Sequence, residues 1–209
     1  ASFDSYSGLI YSDFRDKEPH VIEGFEIPNS WYRFIGVDYG YKNPTCVLCG
    51  AVDHKGTLYI YNEVYQSGMR VSDISTMIKT ENAKQKIQLF LIDPSTKRTE
   101  SDGHSIVDEF AEYGLYFTPA NNKVDAGINK VREYLKLGAD GKPKLKIFRK
   151  CQNLRTEFQI YQYKDLSIKA KQNNPPERPL KRNDHAMDAL RYMVVYVYDT
   201  PALREKQED

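Results

Sequence analysis

The sequence predicts an α/β fold: a mixed β-sheet of three antiparallel strands plus parallel strands, flanked by helices. Three apolar, β-rich runs come first, with no helical stretch between them. Short strands then alternate with stretches of helical periodicity, and this order places parallel strands beside one another in a sheet. A length of 209 residues is sufficient for one well-buried domain.

The three antiparallel strands are predicted at residues 33–38, 45–52 and 57–65. The first is a short apolar run that ends at a turn containing glycine and proline. The second and third flank the sequence Asp-His-Lys-Gly at 53–56, which is typical of a β-hairpin. Because consecutive strands joined by short turns pair in antiparallel fashion, these runs form the first part of the sheet.

A helix is predicted from residue 71 to about residue 87, because apolar residues recur there at helical spacing and Ser72 or Asp73 can cap its start. Residues 88–94 follow as a short, continuously apolar run closed by Pro94. Such a run is expected of a central strand that is buried on both faces.

The rest of the chain continues the alternation. Helices are predicted at about 103–113, 124–137 and 151–163, and strands at 115–119 and within 138–148.

The last part of the chain combines a loop with a helix. Residues 169–182 contain three prolines and two asparagines, which break regular structure, so we predict a mobile basic loop there. An apolar helix follows within 182–199.

We expect three regions: an extended lead-in at 1–30, a folded domain at 31–200 and a tail at 201–209. The chain begins without Met, and we expect it to be a fragment of a longer protein. Its start has neither the basic residues nor the apolar stretch of a signal peptide, and no run approaches the roughly 20 apolar residues needed to cross a bilayer. We therefore expect a cytoplasmic protein without membrane contact.

The charge of the chain is unevenly distributed. Residues 121–182 hold 16 Lys and Arg against 6 Asp and Glu, a net charge of +10, whereas the whole chain has +1 and the remainder therefore −9. A basic segment of this size is typical of a surface that binds a polyanion, although a merely solvated lysine-rich surface is the alternative.

The cysteines do not indicate a zinc site or a disulfide framework. There are three of them, and Cys46 and Cys49 lie three residues apart in a predicted strand. Residues at this spacing in a strand point to opposite faces of the sheet, and the sequence offers no second pair to complete a zinc site. We expect free thiols.

Four aspartates are predicted to meet at one edge of the sheet. Asp38 and Asp93 each end a strand, and neighbouring strands lie ~4.8 Å apart. Asp184 and Asp188 lie on one face of the final helix, one turn apart. Carboxylates this close repel one another unless their pKa values rise or a cation binds. All-oxygen ligation suits Mg²⁺ or Mn²⁺, and two such ions can activate a water for attack on a phosphodiester.

Each aspartate also has a simpler explanation. Asp38 and Asp93 could form turns. Asp184 could complement the helix dipole, and Asp188 could be an exposed residue paired with Arg191. These explanations do not explain why all four acids fall at the same end of a predicted sheet.

Five stretches carry a family resemblance: FIGVDYGYKNPTCVL, LIDPSTKR, NDHAMDALRY, LIYSDF near the start, and AGINKVREYLKLG between. They closely resemble the C-terminal nuclease domain of tailed-bacteriophage terminase large subunits. The resemblance extends from about residue 8 to residue 198. It implies an RNase H-like fold and an endonuclease that uses two divalent metal ions, Mg²⁺ or Mn²⁺, to cleave concatemeric viral DNA during packaging.

The resemblance also implies roles for individual residues. Asp38 matches the first-strand carboxylate, Asp93 the central-strand carboxylate, and Asp188 that of the helix. Asp184 and His185 match the preceding residues, which assist the metal site in some relatives. Family members differ in which helix acid does most, and some carry Glu at the position of Asp93. We expect all five residues to be catalytic and the four aspartates to bind metal; a surface histidine without function is the alternative for His185.

The resemblance implies partners as well. They are double-stranded DNA, an N-terminal ATPase domain of the same polypeptide, the portal protein and the small terminase subunit, in a packaging motor of the host cytoplasm that is absent from the mature virion. The isolated domain is expected to be monomeric. The sequence contains no G-x-x-x-x-G-K-[ST] motif, so we expect no motor activity from it.

Basic residues near the acidic edge are expected to contact DNA phosphates. Such contacts orient a duplex without reading its sequence, which predicts cleavage with little sequence preference. The candidates are Lys97, Arg98, Lys123, Lys130, Lys181 and Arg182.

Two other functions are compatible with the sequence. One is a catalytically silent DNA- or protein-docking module on the same fold. The other is a fragment of an actin-like ATPase, because Gly-Val-Asp-Tyr-Gly followed by a hairpin also resembles the phosphate-binding turn of those proteins. The second glycine-rich turn that such an ATPase needs is missing from the sequence.

Overall fold

The computed structural model describes residues 8–97, 104–164 and 178–204. These residues form a seven-stranded mixed sheet flanked by helices, as predicted. The strands are β1 (Val21–Ile22), β2 (Tyr32–Asp38), β3 (Thr45–Val52), β4 (Leu58–Gln66), β5 (Leu89–Ile92), β6 (Phe117–Pro119) and β7 (Leu145–Phe148). The helices are α1 (Val71–Glu81), α2 (Ile106–Glu112), α3 (Val124–Leu135), α4 (Gln152–Ile160), α5 (His185–Asp199) and α6 (Pro201–Arg204).

The sheet has the strand order β1-β7-β4-β3-β2-β5-β6. β2, β3 and β4 pair in antiparallel fashion, which confirms the three antiparallel strands predicted from the sequence. β5 and β6 continue the sheet beyond β2 as parallel strands, and β7 and β1 continue it beyond β4 in the same way. β3 is buried over its whole length, and its two cysteines are free thiols.

The pairing of β2 with β5 determines which residues share an edge of the sheet. The two strands are parallel, and Val37 lies opposite Ile92. The next residue of each strand is an aspartate, so Asp38 and Asp93 leave the sheet side by side. The expectation that these strands are adjacent and parallel is confirmed.

Helix α5 crosses the sheet over β2 and β3 at close range. A Cβ atom at Gly36 of β2 would lie 2.6 Å from the Cγ atom of Met193 and 3.0 Å from the carbonyl oxygen of Ala189. A Cβ atom at Gly50 of β3 would lie 2.4 Å from the Cε atom of Met193. The two glycines therefore make room for the helix, which is why α5 can lie directly on the strands.

Helices α3 and α4 pack against α5 on its other sides. At Gly127 of α3 a Cβ atom would lie 2.6 Å from the Cγ and Cδ atoms of Arg191, so this glycine lets a large buried side chain of α5 pass. Helix α5 is consequently enclosed by the sheet and two helices. Eleven of its 15 residues are buried.

Helix α1 is shorter than predicted. It ends at Glu81 rather than near residue 87. The side-chain amide of Asn82 donates a hydrogen bond of 2.8 Å to the carbonyl oxygen of Ile78 and so satisfies the end of the helix. The predicted caps were also wrong: Arg70 is the capping residue, and Asp73 accepts a 3.1 Å hydrogen bond from the backbone N–H of Arg70.

The described part of the expected lead-in, residues 8–30, packs against the domain. It contributes β1 and the buried side chains of Ile10, Tyr11 and Phe14, and the ring of Phe14 stacks on that of Phe158 at 4.3 Å. Of the predicted loop at 169–182, residues 169–177 lie outside the described part of the chain.

None of the helices in the described residues is long and apolar enough to span a membrane. The longest, α5, has 15 residues, fewer than the roughly 20 that a bilayer requires.

We expect the substitution Gly36→Ala to destabilise the domain by about 1–3 kcal/mol, because the added methyl group overlaps Met193 and the backbone of α5. Urea unfolding followed by circular dichroism measures the change. Gly8→Ala is the matched control, since a Cβ atom at Gly8 has no described atom within 4 Å. Equal unfolding midpoints for the two variants would show that α5 does not depend on this close approach.

Candidate active site

The candidate active site lies at the edge of the sheet where β2 and β5 end. Asp38 is the last residue of β2, and Asp93 follows β5 directly. Helix α5 begins at the same edge, where His185 hydrogen-bonds Asp38 and Tyr192 hydrogen-bonds Asp93. The prediction that distant parts of the chain meet here agrees with these contacts.

Asp38 is paired with His185. The Nδ1 atom of His185 lies 2.8 Å from the Oδ2 atom of Asp38, and both side chains are largely buried. Burial raises the pKa of Asp38, the hydrogen bond from His185 opposes this, and the negative charges of Asp188 and Asp93 raise it further. The same hydrogen bond is the main cause of a raised pKa of His185. The titrations of these two side chains are therefore linked through their hydrogen bond.

Asp93 is surrounded by hydrogen-bond donors. Its Oδ2 atom accepts hydrogen bonds from the hydroxyl group of Tyr192 at 2.5 Å and from the Nδ2 atom of Asn122 at 3.0 Å. Its Oδ1 atom accepts one from the backbone N–H of Ser95 at 2.6 Å. Burial alone would raise the pKa of Asp93, but the donors, with Ser95 first, hold this pKa below its usual value. Asp93 is thus kept ionised.

Asp188 bridges two cations. Its Oδ1 atom accepts a 2.7 Å hydrogen bond from the Nη2 atom of Arg191, and its Oδ2 atom accepts a 2.8 Å hydrogen bond from the Nζ atom of Lys181. The alternative explanation of Asp188 from the sequence was an exposed residue paired with Arg191. The pair exists, but it is not exposed, because Asp188 is 8% and Arg191 1% exposed. A buried pair of this kind fixes the orientation of the carboxylate.

Asp184 lies beside Asp188 at the same lysine. The Nζ atom of Lys181 is 3.1 Å from the Oδ2 atom of Asp184, an ion pair without hydrogen-bond geometry. This buried oxygen accepts no hydrogen bond from the described residues. Burial lowers the pKa of Lys181, but the two aspartates, with Asp188 first, raise it more. The ammonium group of Lys181 thus supplies positive charge between two carboxylates.

The described residues contain no group of three or more His, Cys, Asp and Glu side chains arranged around a single metal position. The carboxylates share an edge, but their oxygens engage donors of the protein. The donor set nevertheless fits a hard divalent cation, because it consists of carboxylate oxygens, one of them buried without a hydrogen bond, and because a protein cation already bridges two of them.

Three residues at the site were not recognised in the sequence. Tyr192 follows Asp188 by one helical turn on the same helix, a spacing that could have revealed it. Asn122 contacts Asp93 from the loop before α3, with no local signal. Glu157 is buried in α4 between Leu154 and Phe158, so an acid in the apolar stripe of a helix was the available signal.

The residues predicted to contact DNA are at different distances from the site. Lys181 forms ion pairs with Asp184 and Asp188. Lys123 follows Asn122, which contacts Asp93. Lys97 ends the short 3₁₀-helix Pro94–Lys97 that follows β5, and Arg182 is exposed before α5. Arg98 lies outside the described residues.

Lys130 is placed elsewhere. Its Nζ atom forms a 2.5 Å ion pair with Asp199 at the far end of α5, where it also lies 4.9 Å from the ring centre of Tyr198. Since a helix rises 1.5 Å per residue, Asp199 is ~16 Å along α5 from Asp188. The structure therefore does not bring Lys130 to the acidic edge.

The family model described as "Terminase RNAseH like domain" matches residues 38–195, which is more than half of the chain. The chain belongs to the terminase RNase H-like domain family. The expected RNase H-like fold is thereby confirmed, and the actin-like ATPase alternative has no support. No curated protein matches the sequence.

Solved structures of large terminases share the fold of this terminase domain. A large terminase from a thermophilic bacteriophage, solved in complex with ADP, has a TM-score of 0.76 and 22% identity over 92% of this chain and 46% of its own. The nuclease domain of the P22 large terminase has a TM-score of 0.73 and 20% identity over 95% of this chain and 96% of its own. The nuclease of the thermophilic phage G20c with bound cobalt has a TM-score of 0.63 and 14% identity over 90% of this chain and 97% of its own. This terminase domain thus spans less than half the length of the ADP-bound large terminase.

The pair of Asp38 and His185 should make stability depend on pH. The pKa of His185 is raised from 6.5 by the folded structure, so its contribution is fully present below about pH 6.5 and is lost as the pH rises through the raised value. In EDTA, we expect His185→Gln to cost about 1–2 kcal/mol of unfolding free energy near pH 6 and less near pH 8.5. Urea unfolding at both values measures this.

His54→Gln is the control, because His54 is an exposed histidine of the β3–β4 turn. A cost of His185→Gln that is the same at both pH values would contradict the pairing.

Proposed function

We propose that this chain is a metal-dependent DNA endonuclease that cleaves concatemeric viral DNA during genome packaging. The observation that carries the proposal is the register of β2 and β5, which aligns Asp38 and Asp93 at the edge where α5 begins. Several carboxylates from separate elements are costly in one place unless cations offset their charge. Membership in the terminase family supports the proposal that the cation serves phosphodiester hydrolysis.

Asp38 and Asp93 are the strand residues that would hold metal, with Asp184 and Asp188 as the helix ligands. Carboxylate oxygens favour Mg²⁺ or Mn²⁺. Two such ions, when bound, supply an activated water and stabilise the leaving oxygen. Cobalt and zinc bound to the nuclease of phage G20c, which has the same fold, support divalent metal binding.

The surrounding side chains of this chain have roles of their own. His185 orients the carboxylate of Asp38, and the hydrogen bond with Asp38 raises the pKa of the imidazole, which favours the protonated form that would donate a proton to a leaving oxygen. Tyr192 and Asn122 fix the rotamer of Asp93. Arg191 holds one oxygen of Asp188.

DNA phosphates would be bound by basic residues around the edge. Lys181 contacts the helix acids, and Lys97, Lys123 and Arg182 are near Asp93, Asn122 and Asp184 in sequence. Phosphate contacts of this kind carry no sequence information. We therefore propose cleavage with little sequence preference. We also propose that Arg98, the neighbour of Lys97 in sequence, contacts DNA. Lys130 is left out because it is ion-paired with Asp199 at the far end of α5.

The domain would act within a larger packaging motor. We propose that a nuclease domain at 31–200, with a lead-in at 1–30 and a tail at 201–209, follows an ATPase domain of the same polypeptide. The large terminase of the thermophilic bacteriophage that was solved with ADP, of which this chain matches less than half, supports this arrangement. We also propose that the motor includes the portal protein and the small terminase subunit. It would work in the host cytoplasm.

A catalytically silent docking module is the second candidate. The observation in its favour is that each carboxylate already has a donor or a cation of the protein. Such a module would bind DNA without cutting it, so the cleavage experiment separates the two functions.

We expect Asp38→Asn to reduce nicking of supercoiled plasmid in Mn²⁺ by ~100-fold or more, because the variant keeps the size of the side chain but loses a charged ligand. Asp93→Asn should have the same effect. Gel electrophoresis over time measures the rate, and circular dichroism verifies folding. Asp13→Asn, at an exposed acid of the lead-in, is the control. A double Asp38→Asn, Asp93→Asn variant that nicks as fast as the parent would refute the mechanism.

We expect Lys123→Gln to weaken DNA binding and to reduce the slope of log affinity against log salt by about 1, because one phosphate contact is lost. Lys130→Gln should leave both unchanged, since Lys130 is ion-paired at the other end of α5. Fluorescence anisotropy with a duplex at several salt concentrations compares them. Equal losses in the two variants would contradict the assignment of DNA to the acidic edge.

A further inference from the structure

The N-terminus of α5 is capped in an unusual way. Asp184 occupies the capping position, and a side chain of this type normally accepts a hydrogen bond from the first free N–H groups of the helix. The carboxylate of Asp184 makes no such bond and is directed to Lys181 instead. The N–H groups of the first turn therefore need another acceptor, because they are buried.

Glu157 of α4 is that acceptor. Its Oε2 atom accepts hydrogen bonds from the backbone N–H groups of Ala186 at 2.8 Å and Met187 at 3.0 Å. Its Oε1 atom accepts a hydrogen bond of 2.7 Å from the hydroxyl group of Tyr65. Glu157 is only 3% exposed. A carboxylate from a separate helix thus lies at the positive end of the α5 dipole.

The position of Glu157 determines what Asp184 can do. Because Glu157 satisfies the N–H groups of α5, the side chain of Asp184 is released from capping and can face the acidic edge. The two N–H groups that Glu157 holds belong to residues 186 and 187, which lie between His185 and Asp188. Movement of this turn would displace both of those side chains.

The buried environment of Glu157 makes a negative charge at this place unfavourable. Burial raises the pKa of Glu157 to about 7, although the hydrogen bonds from Tyr65 and from the backbone of Met187 and Ala186 lower it. An apolar side chain would fill the same space without this cost, but it would leave two buried N–H groups without a partner.

We propose that Glu157 is a positioning residue of the active site, which fixes the first turn of α5 and thereby places Asp184, His185 and Asp188 at the ends of β2 and β5. The inference rests on the proposed function, since it concerns the same site. Glu157 does not touch the reacting atoms. It acts through the backbone of α5.

The test compares Glu157→Met with Glu157→Gln. The methionine variant retains volume but loses both acceptors, whereas glutamine keeps an acceptor oxygen for the two N–H groups. We expect Glu157→Met to lower kcat for plasmid nicking and the affinity for Mn²⁺, measured by titration calorimetry, each by about 10- to 100-fold. The KM for DNA should change by less than about 2-fold, because Lys97 and Lys123 lie outside the turn that Glu157 holds. Glu157→Gln should recover most of both losses.

A control separates positioning from loss of stability. Ile78→Ala removes a buried side chain of α1, a helix that packs against α2, and it should lower the unfolding midpoint while kcat and Mn²⁺ affinity stay near those of the parent. If Glu157→Met does not fold, Glu157→Asp takes its place, because the side chain that is one methylene shorter cannot reach both N–H groups. A folded variant that binds Mn²⁺ and cuts DNA as the parent does would overturn the proposal.

A third readout keeps this proposal distinct from the proposed function. Hydrogen exchange of the backbone N–H groups of Ala186 and Met187 in the metal-free protein, followed by NMR, should be faster in Glu157→Met than in Glu157→Gln, because the acceptor that holds both groups is lost. If the parent neither binds Mn²⁺ nor cuts DNA, the nuclease function fails, and this exchange experiment still decides the role of Glu157. Unchanged exchange of both groups in Glu157→Met would then refute it.

Discussion

The parallel pairing of β2 with β5 is the constraint on which the site depends. It aligns Val37 with Ile92 and so brings the two following aspartates out of the sheet at one edge. Burial there raises the pKa of Asp38, and the charges of its neighbours add to the effect. The protein offsets the accumulated negative charge with cations and hydrogen-bonding groups of its own, among them Lys181, Arg191 and His185. The accumulated negative charge at this edge therefore favours the binding of a cation.

Helix α5 adds the remaining acids because it is held from three directions. Glycines in β2, β3 and α3 allow the helix to lie close to its neighbours. Glu157 caps its first turn from α4, Tyr192 connects the helix to Asp93 at the end of β5, and Arg191 pairs with Asp188 within the helix. An apolar helix therefore carries carboxylates at its start without exposing them. The geometry of the site is a property of the packing around α5 as much as of the aspartates themselves.

The sequence predicted much of this arrangement, and the failures have identifiable causes. The strand at 45–52 and the hairpin were predictable because hydrophobic runs and turn residues are local signals. The end of α1 was misplaced because helical periodicity persists beyond Asn82, where side-chain capping stops the helix. A buried acid in the apolar stripe of α4 was a local signal for Glu157, but its capping role depends on residues about 30 positions away, which no local pattern identifies. The remote position of Lys130 has the same origin, since only the packing of α3 on α5 determines it.

The most direct test of the central claim is a crystal structure of the protein soaked in Mn²⁺, with the metal located by anomalous scattering. We expect anomalous density at the ends of β2 and β5 in contact with Asp38 and Asp93, with Lys181 moved away from the helix acids, and no density there in Asp38→Asn. Mn²⁺ bound only at other places, with the carboxylates still held by their present donors, would contradict the account.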